Sequence, residues 1–351
     1  ESNGCRILTD PWLTDGEYYG SWFHYPPFSE NDIINLEYDF IYVSHIHPDH
    51  ISEKTFKKLP LKKPVIIHRY QSQFLKRKIE SLGFEVIECD HGTPFFLKND
   101  FKITIFAADN CNPELCGKFI GCSNVENDFG STQIDTFALF ECTNYCILNT
   151  NDCPYELASH AIRANLIHLK NIDLLLVGYA GAGAYPQCFD FQNTKLKVQA
   201  ANLKKQQFLS KCIQFIDLLK PKRFAPFAGT YILGSTLSRL NKYRGVPSIT
   251  EALNLIEEMR PDLCNGLNLE QRDSYHIGDG RIEKAITKDC NLSDFLADIS
   301  QKPLDYFDDS WADDELQDLI SEAYIRFRSK AEELGFVSAT RFVIQTDYVK
   351  F

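Results

Sequence analysis

Ile41-Tyr42-Val43-Ser44-His45-Ile46-His47-Pro48-Asp49-His50 is the stretch from which the fold is read. Four potential metal ligands, His45, His47, Asp49 and His50, stand within six residues, directly after an apolar run that reads as a buried strand. Side chains two apart on a strand share a face, so His45 and His47 can converge on one ion. Pro48 then ends the ladder, and the turn lets Asp49 and His50 approach from another direction. Neutral imidazoles with a carboxylate suit zinc, iron or manganese. The expectation is one or two divalent metal ions, zinc before iron or manganese. A polar turn with solvated histidines is the competing reading.

Working outward, apolar runs predict strands at 5–9, 38–43, 64–67 and 84–88. Helices are expected at 53–59 and at 71–82, the second stopped by Gly83. Residues 95–97 and 101–107 read as a hairpin across Asn99-Asp100. Strands at 136–141 and 145–148 follow, and the latter runs into Asn149-Thr150-Asn151-Asp152-Cys153. The continuous apolar run 172–177 is typical of a strand covered on both faces, and a last strand is expected at 223–226. Helices at 155–168 and 196–219 alternate with these strands. Two layered sheets flanked by helices fit this order better than one doubly wound sheet. The aromatic, proline-rich stretch from Trp12 to Pro27 reads either as a lid over a pocket or as packing alone. Its Trp22 and His24, together with the later Tyr231, are candidate substrate contacts. The expected division is a main domain at 1–245 and a mixed helical and strand annex at 246–351 packed on it. The annex would hold helices at 249–258 and 314–334, a loop-rich acidic stretch between them, and a strand at 341–345.

Of the 351 residues, 44% are hydrophobic, 13% aromatic and 24% charged, which suits a folded chain. The formal net charge of -11 argues against nucleic-acid binding, which needs a basic face. It leaves room for an anionic small molecule, because a bound metal dominates the field in its own pocket. The 12 cysteines form no CxxC pair, so a reduced, cytoplasmic protein is expected. Neither a membrane span nor a signal peptide is expected, although the chain opens at Glu1 without a methionine.

Ser44-His45-Ile46-His47-Pro48-Asp49-His50, preceded by Ile7-Leu8-Thr9-Asp10-Pro11-Trp12, resembles the HxHxDH signature of the metallo-β-lactamase superfamily. More closely, the chain resembles the metallo-β-lactamase-like part of the CMP-N-acetylneuraminate hydroxylase family. That resemblance rests on Leu8 to Leu13, Ile41 to His45, Ile147 to Cys153, Tyr179-Ala180-Gly181-Ala182 and Pro226-Phe227-Ala228-Gly229, in the same order. It implies a four-layer αββα sandwich with the metal site at one edge. Carried over, His45 and His47 hold a first ion, Asp49 and His50 a second, and Asp152 bridges them. The superfamily's third-motif histidine has no match, since that region reads Ala107-Ala108-Asp109-Asn110-Cys111. Asp109 can replace it, as can Cys111, or the position is vacant. No histidine occurs between Gly229 and His276, where the family's late ligand is expected. The hydroxylase family also carries a Rieske iron-sulfur module, and no Cys-x-His pair followed by a Cys-x-x-His occurs here.

Three functions compete at this stage. The first is a metal-dependent hydrolase acting on a small, anionic, phosphorylated or nucleotide-sugar-like metabolite, with Asp49 orienting or deprotonating a metal-bound water. The second is an iron-dependent oxygenase that takes electrons from an external redox partner. The third is a binding module that keeps the fold without catalysis. His68, His91, His160 and His168 are read as packing or surface residues, and Cys111, Cys116 and Cys122 match no standard zinc spacing.

Overall fold

Runs of β-branched and aromatic residues bounded by Gly, Pro and Asn form the strands, because such side chains fit a pleated, half-buried surface. The computed structural model describes residues 1–2, 4–70, 73–107, 135–166, 171–285, 290–310, 312–333 and 335–337. Its strands are, in chain order, β1 (Ile7–Thr9), β2 (Trp22–Phe23), β3 (Phe40–Tyr42), β4 (Val65–His68), β5 (Val86–Cys89) and β6 (Phe95–Lys98). They continue with β7 (Phe101–Ala107), β8 (Thr136–Cys142), β9 (Tyr145–Asn149), β10 (Leu174–Gly178), β11 (Arg223–Phe227), β12 (Ile232–Leu233), β13 (Ser274–His276) and β14 (Arg281–Glu283).

β1, β3, β4 and β5 form an all-parallel sheet in the order β1-β3-β4-β5. A mixed sheet runs β11-β10-β9-β8-β7-β6, with β9, β10 and β11 parallel and the other three strands antiparallel. The sheets face each other through one buried cluster. Tyr42, Ile66 and Cys89 come from the first sheet, and Ile103, Ile105, Ala138 and Phe140 from the second. Helices Tyr155–Asn165, Thr194–Leu219 and Ile249–Met259 pack on β7, β10 and β11, and Phe74–Ser81 packs on β5. This is the αββα sandwich expected from the sequence. Phe137 is fully buried and stacks on Phe106 at 5.1 Å. Truncation of a ring so placed costs about 3–5 kcal/mol.

The elements differ from expectation in several places, and the stretch read as loop-rich also holds the hairpin β13–β14. The helix expected from residue 71 is a helix over Phe74–Ser81. In the stretch read as loop-rich, Asn291 caps a helix over Leu292–Ser300 by accepting from the Ser293 and Asp294 amides. The aromatic stretch is not merely loop, since β2 pairs with β12 and sets Trp22 opposite Leu233. Asp109, Cys111, Cys116, Cys122, His168 and the strand expected at 341–345 lie outside the described residues.

The compact unit that holds the sandwich lies within Glu1–Asn112 and Gln133–Asp308. The described helix of the second unit is Asp313–Glu333. Among the described residues, no helix is long and apolar enough to cross a membrane.

Candidate metal centre

Strand direction decides which residues meet. β1 and β3 are parallel, so Asp10 and the Ser44-His45 pair leave the sheet side by side. The Ser44 amide donates to Asp10 Oδ1 at 2.7 Å and its hydroxyl to Asp10 Oδ2 at 2.8 Å. After Pro48 the chain turns back, with the His50 and Ile51 amides donating to the His47 carbonyl at 2.9 and 3.0 Å. Ser52 then caps the helix Glu53–Lys58 by accepting from the Thr55 amide. The turn brings His50 Nδ1 to 3.1 Å from Asp10 Oδ2.

On the second sheet, β9 ends in a turn where Asn151 has φ 46° and its side-chain amide donates to the Thr136 carbonyl at 3.0 Å. Asn tolerates that left-handed conformation better than most residues. Gly178 is required beside it, since a Cβ there would stand 2.8 Å from the Asn151 carbonyl oxygen. Asp152 leaves this turn toward the histidines. The ligand atoms of His45, His47 and Asp152 lie within 4.8 Å of one another, and so do those of Asp49, His50 and Asp152. Asp152 is common to both groups.

One acid was not foreseen. β8 is antiparallel to β9, so the residue before β8 meets the residues after β9 at the same edge. That residue is Asp135, whose Oδ1 is 3.6 Å from His45 Nε2. The sequence reading looked for a third ligand where the chain leaves β7, and this carboxylate stands where it enters β8. The available signal was an acid immediately ahead of an apolar strand.

The electrostatics separate the groups. Burial pushes the His45 imidazole well below the usual histidine range and so keeps it neutral, with the His50 charge adding to the effect. Burial opposes the charge on His50, but Asp152 and Asp10 outweigh it and hold the ring well above that range. Desolvation likewise opposes the charge on Asp152, yet His50 above all holds its carboxyl well below the usual range. Burial, with Asp152 nearby, pushes Asp135 up to about 7.

These residues fit a metal. A neutral buried imidazole is the form that ligates, and His45 Nε2 faces the His47 Nδ1 atom at 2.7 Å beside a carboxylate. His45 and His47 would hold one ion, and Asp49 and His50 the other, with Asp152 between them and Asp135 beside His45.

Asp49, His50 and Asp152 form one end of a cavity of about 310 Å³. Trp12, Trp22, His24, Phe28 and Tyr231 wall the rest, with the loops 180–182 and 227–231 closing it. Trp22 and Tyr231 stack at 3.7 Å with their planes 3° apart. His24 Nδ1 sits 2.8 Å from Asp15 and Nε2 3.0 Å from the Trp12 carbonyl. Both its nitrogens are therefore engaged, and only its ring face is offered to a ligand. His68 is buried beside Tyr70 and His91, away from the cavity, and burial pushes it down to about 4.

A second residue escaped the sequence reading. The Tyr18 hydroxyl donates to Asp49 Oδ1 at 2.7 Å, and burial together with Asp49 holds it protonated, well above the usual tyrosine range. Tyr18 (φ 49°, ψ 60°) and Tyr19 (φ 60°, ψ 40°) are both left-handed. That conformation costs roughly 1–2 kcal/mol per non-glycine residue.

No family model matches the chain. It is 28% identical over 274 residues to a protein of Mycolicibacterium smegmatis named as a Rieske 2Fe-2S iron-sulfur protein, covering 74% of this chain and 48% of that one. It is 26% identical over 273 residues to the cytidine monophosphate-N-acetylneuraminic acid hydroxylase of Danio rerio, covering 75% of this chain and 41% of that enzyme. The chain thus spans less than half the length of either relative. Among solved structures, the isothiocyanate hydrolase from Delia radicum gut bacteria shares the fold. Its TM-score is 0.50 at 12% identity, over 81% of this chain and 94% of that one. A parallel sheet ending in His-x-His-x-Asp-His, faced by a mixed sheet that supplies an aspartate to the same edge, gives the chain a metallo-β-lactamase-like fold.

Proposed function

We propose that the chain is a two-metal oxygenase that hydroxylates a small molecule, drawing electrons from a separate iron-sulfur donor. The observation that carries this reading is Asp135, a second carboxylate beside the His45–His47 pair, with Oδ1 3.6 Å from His45 Nε2. Two histidines and one carboxylate are the set that non-haem iron oxygenases use, and oxygen ligands favour harder ions than the all-imidazole site does. The sequence relatives named as a hydroxylase and as a Rieske protein support the same direction.

Iron, when bound, supplies the oxygen chemistry. The reaction takes R–H, O2, two electrons and two protons to R–OH and water. The chain's own residues do the rest. Asp152 stays ionised and is shared between the ions. Trp12, Trp22, Phe28 and Tyr231 give the substrate an apolar, aromatic berth and exclude water from it. No lysine or arginine lines this cavity among the described residues, so an anionic group on the substrate would be balanced by the metal charge.

A zinc hydrolase is the second reading. It is favoured by Asp49 and His50 opening directly onto the cavity, where a metal-activated water would meet an ester or lactone. Anaerobic loading with Fe(II) or Zn(II), followed by oxygen uptake with a chemical reductant and by hydrolysis of an ester, lactone and phosphodiester panel, decides between them. Reductant-dependent oxygen uptake by the iron form alone is the expected result. Hydrolysis by the zinc form with no oxygen uptake by the iron form reverses the order of the two readings.

A further inference from the structure

The turn at 16–20 is built to deliver one hydroxyl. Gly16 (φ 93°) and Gly20 (φ 81°) flank the left-handed pair Tyr18 and Tyr19. The turn is fastened on two sides. Lys54 donates to the Gly16 carbonyl at 2.5 Å, and Ser52 to Glu17 Oε1 at 2.6 Å, tying it to the helix that follows the histidine cluster. The Asp305 amide donates to the Tyr19 carbonyl at 2.9 Å, and a Cβ at position 20 would stand 2.9 Å from Asp305 Oδ1. The Tyr18 ring packs on Trp22 at 4.3 Å, which in turn stacks on Tyr231 in the cavity wall. Large aromatic residues avoid this backbone region, and non-glycine residues held there gather at functional sites.

We infer that Tyr18 is the positioning residue that decides which oxygen of Asp49 is offered to metal. Its hydroxyl occupies Asp49 Oδ1, and Asp49 Oδ2 is the atom that stands 3.6 Å from His50 Nε2. A carboxylate with one oxygen held by a phenol binds an ion through the other. Asp49 is then a one-oxygen ligand, and Tyr18 acts only through it. The inference rests on the reading of Asp49 and His50 as the holders of one of two ions.

Tyr18→Phe keeps the ring and removes the hydroxyl. With Zn(II) alone, and with Co(II) alone as a spectroscopic probe, chelator competition measures the two affinities separately. In Tyr18→Phe the weaker-held of two ions should lose about 10–100-fold in affinity, the range for partners that orient a metal ligand. Its cobalt absorption band should change shape as Asp49 swings to a two-oxygen mode. The other ion and the melting temperature of the metal-free protein should stay as in wild type. Tyr19→Gly is the control. Glycine accepts the left-handed backbone, so this variant should keep both affinities and the cobalt spectrum while the turn is no less stable. Unchanged affinities and spectrum in Tyr18→Phe sink the inference and leave the two-ion reading standing. Equal weakening of both ions also sinks it, because a merely structural role does that. If wild type takes up fewer than two ions, the two-ion reading falls and this inference with it.

Discussion

The two ligand groups of the candidate metal centre share Asp152 and the Ser44 hydroxyl, which lies 2.9 Å from His45 Nδ1 and 3.3 Å from His50 Nδ1, and they differ in most else. Asp49 and His50 open onto the aromatic cavity, whereas His45, His47 and Asp135 are absent from its lining among the described residues. The cavity half is braced from outside, with Tyr18 on Asp49 and Asp10 on His50. The other half is braced mainly by burial. His45 is fully buried, and the Ser44 hydroxyl lies 2.9 Å from its Nδ1. They also differ in the proton that must leave before metal enters. In the cavity half it is on the His50 imidazolium, held there by Asp152 and Asp10, and in the other half it is on the Asp135 carboxyl. One group thus faces the aromatic cavity, and the other lies against a buried wall.

The largest effect is expected of Asp152→Ala, since Asp152 belongs to both ligand groups. Elemental analysis should find neither ion and oxygen uptake should vanish. His45→Ala and His50→Ala then separate the halves. Each should lose one ion while keeping the other, and a variant that loses both shows the halves to be a single cooperative site.

Much of this was legible in the sequence because it is local. Four ligands lie on one strand end, so spacing and the period of two suffice to read them. Asp152 was legible as the acid closing an apolar run. Asp135 was not, because its place depends on the antiparallel pairing of β8 with β9, and no local pattern states which way a strand runs against its neighbour. Tyr18 was hidden for another reason. Gly16 and Gly20 announce a turn, but which side chain points inward is set by contacts with Ser52, Lys54 and Asp305 from distant parts of the chain. Trp22, His24 and Tyr231 were read as separate candidates, and the β2 to β12 pairing is what sets two of them face to face.

The next effect is smaller and concerns the buried half. Asp135→Asn keeps the shape and removes the titration, and it should lower affinity for one ion by up to about 100-fold. In wild type the carboxyl, pushed up to about 7, must release its proton to bind. Affinity should therefore fall as pH drops below about 7, by up to about tenfold per unit for one proton, and Asp135→Asn should flatten that slope. Stability of the metal-free protein runs the opposite way. A carboxyl whose folded pKa lies above its unfolded value contributes fully at low pH and loses that contribution as pH rises toward about 7. The melting temperature of metal-free Asp135→Asn should thus gain on wild type between pH 4 and 7, as thermal scans at matched pH can check.

Asp10→Asn should give the smallest of these effects and bears on the cavity half. Asp10 accepts from the Ser44 amide and hydroxyl and faces His50 Nδ1 at 3.1 Å, so it fixes which His50 nitrogen is free to meet metal. Asparagine can keep the amide contact through its oxygen, but its NH2 group then confronts the Ser44 hydroxyl and the imidazole. The ring loses its orienting acceptor while Asp152 stays 3.2 Å from Nε2. Affinity for the ion of this half should fall about tenfold, at the low end for such partners, with a smaller loss at the other ion, whose His45 shares the Ser44 hydroxyl. In the metal-free protein His50 should lose part of its elevated pKa, since one of the two carboxylates that raise it is gone. A histidine held above its unfolded pKa contributes stability below that value and loses it as pH rises through the folded one. Asp10→Asn should therefore release its His50 proton at a lower pH than wild type, which NMR titration of the ring reads directly. An unchanged titration would mean that Asp152 alone holds the charge, and that the two halves are braced by the same residue after all.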